Sequence, residues 1–93
     1  MFKTLEELVA VIRQRKGFLP EKSYTSKLLN NKELSIEKVK EEIGELIEAV
    51  EKDTNKIHES ADVLYHFMVF LEANNIKIED VMKELKERQD AVR

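Results

Sequence analysis

Leu5, Leu8, Val9 and Ile12 recur at intervals of three and four residues, the spacing that gathers side chains on one face of a helix. The same rhythm returns in Ile36, Val39, Ile43, Leu46, Ile47 and Val50, and again in Ile78, Val81, Met82 and Leu85. No stretch alternates apolar and polar positions as a half-buried strand does. The pattern predicts an all-α fold.

Local signals divide the chain further. Thr4, followed three residues later by Glu7, has the spacing of a capping box and is predicted to start the first helix. That helix gives way to Arg13-Gln14-Arg15-Lys16-Gly17. Phe18-Leu19 should be extended, because the residue before Pro20 is pushed out of the α region. A short helix is expected from about Ser23 to Leu29, ended by Asn30-Asn31-Lys32. Ser35 is placed to cap the next helix, and Lys52-Asp53-Thr54-Asn55-Lys56 reads as a polar turn. A helix from about Ile57 to Ala73 follows, and the last begins near Ile78. Short connections make neighbours antiparallel. The expected architecture is a four- to five-helix bundle around a central antiparallel hairpin, in one domain spanning residues 1–93.

Composition narrows the function. With 93 residues there is room for one modest core, and a second subunit is a natural source of further burial. The absence of cysteine excludes disulfides and thiolate chemistry. A net charge of −3, with both signs mixed along the chain, argues against a nucleic-acid surface. The apolar run at 63–71 is too short to span a bilayer, and Met1-Phe2-Lys3-Thr4 opens no signal-peptide core. A soluble cytoplasmic protein is expected, with no membrane partner.

The central hairpin carries the chemistry. Glu41, Glu42 and Glu45 lie on one arm, Glu59 and Asp62 on the other. Residues three apart on a helix are neighbours on its surface. Residues 42 and 62, and likewise 45 and 59, are equidistant from residue 52, inside the expected turn. Four carboxylates can therefore meet as two facing pairs, an all-oxygen cage suited to a hard cation such as Mg²⁺. Spacing alone is weak evidence, since Glu45/Glu48, Glu48/Glu51 and Glu84/Glu87 repeat it. Orientation separates the candidates: Glu42 borders the apolar stripe of its helix and Glu45 lies one step further, whereas Glu41 and Glu48 turn towards solvent. Past Asp62 the second arm is apolar on nearly every side, as in a buried helix. Carboxylates there need a cation or hydrogen-bonding partners. A metal site and a structural ion-pair network both satisfy the pattern. Lys38 falls between Glu42 and Glu45 in helical angle, either as an (i, i+4) partner of Glu42 or facing a substrate phosphate. His66 falls between Glu59 and Asp62, either as a core histidine or as a group at the site.

These residues together resemble a known family. Arg15-Lys16, Pro20, Ser23-Tyr24-Thr25, Leu28-Leu29, Lys38-Val39-x-Glu41-Glu42-x-x-Glu45 and Glu59-x-x-Asp62-x-Leu64-Tyr65-His66 look like phosphoribosyl-ATP pyrophosphohydrolase. That family belongs to the MazG-like, all-α nucleotide pyrophosphohydrolase superfamily. The resemblance spans nearly the whole chain, with departures at Lys40, where the family favours glycine, and at Gly44. It implies hydrolysis of phosphoribosyl-ATP to phosphoribosyl-AMP and pyrophosphate in histidine biosynthesis. It implies Mg²⁺ held by Glu42, Glu45, Glu59 and Asp62, with Glu41 beside them as a base or supporting group. Arg13, Arg15, Lys16, Lys22 and Lys38 are candidates for phosphate contacts, and Ser23 and Thr25 for hydroxyl contacts or helix caps. A homodimer or higher homo-oligomer is expected, with the neighbouring subunit completing the nucleotide pocket. The rival within the superfamily is a pyrophosphohydrolase of other nucleoside triphosphates using the same metal site.

Overall fold

The computed structural model describes residues 1–91 and is all-helical among them. Five α-helices follow one another: α1 (Lys3–Arg15), α2 (Tyr24–Leu29), α3 (Lys32–Lys52), α4 (Lys56–Ala73) and α5 (Ile78–Asp90). A single 3-10 turn, Pro20–Lys22, precedes α2. Leu19 is extended (φ −66°, ψ 148°), as its place before proline requires.

The ends of the helices show where local signals were overridden. α1 starts at Lys3, with Phe2 rather than Thr4 at the cap position and without a side-chain cap. Thr4 lies inside the first turn, so the capping box with Glu7 does not form. At a solvated terminus water satisfies the first N–H groups equally well. Ser23 does cap α2, accepting the backbone N–H of Ser26 at 3.0 Å. α3 is capped by Asn31 rather than Ser35: the Asn31 side chain accepts from the Leu34 N–H at 3.1 Å. The earlier start carries Ser35 into the helix, where it is buried.

The turn between α3 and α4 falls where expected. No glycine is present, and Asp53 (φ 55°) and Asn55 (φ 45°) take up the left-handed conformation, which short polar side chains tolerate best. The resulting hairpin is the spine of the molecule, with α1 and α2 packed against α4. The core gathers Val9 and Ile12 of α1, Leu28 of α2, and Met68, Val69 and Leu71 of α4.

The face of α3 turned inward is not its apolar stripe. Ser35, Glu42 and Ala49, spaced by seven, are its buried residues. Ile36, Ile43, Ile47 and Val50 are exposed. On α4, Leu64 and Phe67 are exposed as well, so within one chain this helix is covered on part of its circumference only. α5 touches the body mainly through Ile78 and buries no residue. The radius of gyration, 14.7 Å, accordingly exceeds the roughly 12 Å of a compact chain of this length.

Candidate active site

The antiparallel pairing of α3 with α4 brings the carboxylates together. Carboxylate oxygens of Glu41, Glu42 and Glu45 lie within 4.8 Å of one another, and so do ligand atoms of His58, Glu59 and Asp62. Across the hairpin, Glu45 approaches Glu59, and Glu42 lies within range of the Asp62 charge. This is the arrangement expected from a hairpin pivoting near residue 52.

The electrostatics are strained. Burial, then the charge of Glu45, pushes the carboxyl groups of both Glu42 and Glu59 above the usual range, and Asp62 adds to it on each. Glu42 Oε2 and Glu59 Oε2 are buried without a hydrogen-bond partner. A buried carboxylate oxygen that accepts nothing is costly, and two carboxylates bond to each other only if one keeps a proton. A hard divalent cation relieves both problems, because it is coordinated by such oxygens and cancels their charge. The all-carboxylate donor set has the chemistry that a hard divalent cation prefers.

Around this cluster the other candidates are arranged unequally. Lys38 pairs with Glu41 at 3.2 Å, not with Glu42, and that carboxylate raises the proton affinity of the ammonium and holds it charged. His66 is buried, and both its ring nitrogens are engaged. Nδ1–H donates to the backbone carbonyl of Asp62 at 2.9 Å, and in that tautomer Nε2 is the acceptor for the Tyr24 hydroxyl at 3.0 Å. Burial pushes the Tyr24 phenol up, with nearby Lys38 opposing, so the phenol keeps the proton it donates. Thr25 bonds to the hydroxyl of Tyr65. Ser23 is used as the cap of α2 and also shares a hydrogen bond with Ser26 Oγ at 2.8 Å. α2 thus stands against α4 one helical turn past Asp62.

Arg15 and Lys16 are engaged elsewhere. The Arg15 guanidinium covers the Phe18 ring at 4.9 Å. Lys16 forms an ion pair with Glu72 at 3.1 Å, ten residues beyond Asp62 on α4 and therefore about 15 Å along its axis. Arg13 bonds to the same Glu72 at 3.0 Å and grips Glu79 of α5 through two bonds of 2.8 and 2.6 Å. Two members of the site region escaped the sequence reading. His58 lies 3.4 Å from Asp62, a contact foreshadowed only by their spacing of four. Tyr65 was visible as part of a motif, but its partner, Thr25, is 40 positions away.

Comparison with known proteins places the sequence in a family. A family model described as phosphoribosyl-ATP pyrophosphohydrolase matches residues 5–89. A phosphoribosyl-ATP pyrophosphatase of Ruegeria pomeroyi is 48% identical over 88 residues, covering 91% of this chain and 84% of the relative. Proteins of the same name from Haloarcula marismortui and Halobacterium salinarum are each 41% identical. The alignments cover 91% and 96% of this chain, and 92% and 100% of those relatives. On the strength of these matches over nearly its whole length, the chain belongs to the phosphoribosyl-ATP pyrophosphohydrolase family.

Proposed function

We propose that this chain hydrolyses phosphoribosyl-ATP between its α and β phosphates, giving phosphoribosyl-AMP and pyrophosphate for histidine biosynthesis, and that it does so with Mg²⁺ in the cytoplasm. The observation that carries the reading is the pair of acidic clusters that the hairpin sets side by side, Glu41, Glu42 and Glu45 on α3 and Glu59 and Asp62 on α4, with Glu42 Oε2 and Glu59 Oε2 buried without partners. Glu42, Glu45, Glu59 and Asp62 would hold the ion. When bound, Mg²⁺ polarises phosphoryl oxygens and neutralises charge on the leaving pyrophosphate.

The protein's own contribution is positioning and charge, which is most of what phosphoryl chemistry asks of it. Glu41 stands at the exposed rim of the cluster and is the candidate to take a proton from the attacking water. Lys38, held protonated beside it, is the candidate cation for a phosphate oxygen. Tyr24, about half exposed, and Thr25 and Ser23 line the approach from α2, with Arg15 at the start of the loop that leads there. His66 supports Tyr24 from behind. Lys16, committed to Glu72 in the single chain, can reach a substrate only in a rearranged or assembled form. The exposed stripe of α3 and the exposed residues of α4 support a homodimer in which a second copy covers them and completes the pocket.

The test is product analysis on phosphoribosyl-ATP beside a panel of nucleoside triphosphates, with and without Mg²⁺. Phosphoribosyl-AMP and pyrophosphate in the presence of Mg²⁺ alone are the expected products. Turnover of the triphosphates with phosphoribosyl-ATP untouched would overturn the substrate assignment, and no release from any nucleotide would overturn the enzyme.

A further inference from the structure

α2 has six residues, too few for a helix to persist unaided in water. It is seated on α4 by two side-chain bonds between adjacent positions on each helix, Tyr24 to His66 and Thr25 to Tyr65. Leu28 anchors α2 in the core, and the two adjacent bonds fix how its N-terminal end meets α4. Tyr65 contributes more than its hydroxyl. Its ring meets the His66 ring edge-on, with centroids 4.9 Å apart, and lies nearly parallel to Tyr24 at 6.3 Å. It is thus wedged among the groups that orient Tyr24, while its hydroxyl holds Thr25. Its own helix carries Asp62 three residues earlier.

We propose that Tyr65 is a positioning residue for the reaction. Through Thr25 and Tyr24 it holds the Ser23–Thr25 segment at a fixed distance and angle from the carboxylate cluster, and so sets how tightly the phosphates of the nucleotide are held. The proposal deepens the functional reading above and rests on it for the role of that segment.

Tyr65→Phe keeps the ring and deletes the hydroxyl. KM for phosphoribosyl-ATP is expected to rise about five- to tenfold, the factor that one lost hydrogen bond represents. Because the loss concerns holding the substrate rather than the transition state alone, kcat should stay within about twofold. The Mg²⁺ concentration for half-maximal rate should be unchanged. Thr25→Val cuts the same bond from its other end, and adding Tyr65→Phe to it should raise KM no further. Wild-type KM in either single variant overturns the proposal, as does a double variant whose two effects multiply. A fall in kcat with weakened Mg²⁺ activation and unaltered KM would assign Tyr65 to the carboxylate cluster and overturn it too. A wild-type chain inert toward phosphoribosyl-ATP sinks the substrate assignment alone, since the KM comparison then runs on whichever nucleotide the chain cleaves.

Discussion

Glu42 and Glu59 each place a carboxylate oxygen out of reach of water with nothing to bind it, and Glu45 and Asp62 stand close by with the same charge. Replacing Glu42, Glu45, Glu59 or Asp62 by its amide should lower turnover at least about a hundredfold, the scale at which removal of one charge-stabilising group acts. The helical fold should survive. Mg²⁺ should raise the melting temperature of the wild-type chain by mass action, and Glu42→Gln should lose that rise. Free of metal, Glu42→Gln should melt above wild type, because it relieves a buried, repelled charge. Near-normal activity at limiting Mg²⁺ in any of the four variants would remove that residue from the site. Lys38 is a milder case, a partly exposed lysine paired along its own helix with Glu41. Such a pair contributes about 0.2–0.5 kcal/mol, so Lys38→Ala should leave the melting temperature nearly unchanged while weakening substrate use. Unaltered kinetics with a lowered melting temperature would make Lys38 a surface charge.

α5 is the element held least by packing and most by charge. It buries no residue, and its first turn is gripped by the fork of Arg13 on Glu79. The guanidinium holds the Glu79 carboxyl well below its ordinary value, down to about 2. A depressed carboxylate contributes stability that is fully present above the ordinary glutamate pKa and is lost as pH falls through the depressed one. The wild-type chain should therefore melt above Glu79→Gln at pH 5 to 7, and the gap should close as pH falls from about 4.5 towards 2. A gap that is independent of pH over that range would show that the fork contributes nothing through charge. α2 shows the opposite economy: burial of Leu28, a polar N-cap and two side-chain bonds to α4 do what length cannot.

Across the whole molecule, Ile36, Ile43, Ile47 and Val50 of α3 and Leu64 and Phe67 of α4 are left exposed by a single chain. Two-fold pairing of identical faces is the commonest way a small protein buries such a surface. The wild-type chain should sediment as a dimer or larger at micromolar concentration. Ile47 is 56% exposed in one chain, and an exposed position alone tolerates substitution within about 0.5 kcal/mol. Ile47→Asp should nevertheless shift the sedimenting mass to the monomer and reduce activity. A monomeric wild-type mass with full activity would defeat both the assembly and the shared pocket.

Helices, their order and the pivot of the hairpin follow from periodicity and chain connectivity, which are properties of neighbours in sequence. That is why α4 and α5 begin within a residue of where their pattern starts, and why Glu45 of α3 comes up against Glu59 of α4. The same periodicity marks an apolar stripe on α3 but cannot say what lies opposite it. Only the packing of α1 and α2 against α4 decided that Ser35, Glu42 and Ala49 turn inward while Ile43 and Ile47 turn out. Ser35 and Asn31 were both competent caps, and Asn31 took the role, a choice that carries Ser35 into the buried line of α3. The bonds that seat α2, Tyr24 to His66 and Thr25 to Tyr65, join residues 42 and 40 positions apart. No local pattern encodes such pairs, because their energy exists only once the helices have packed.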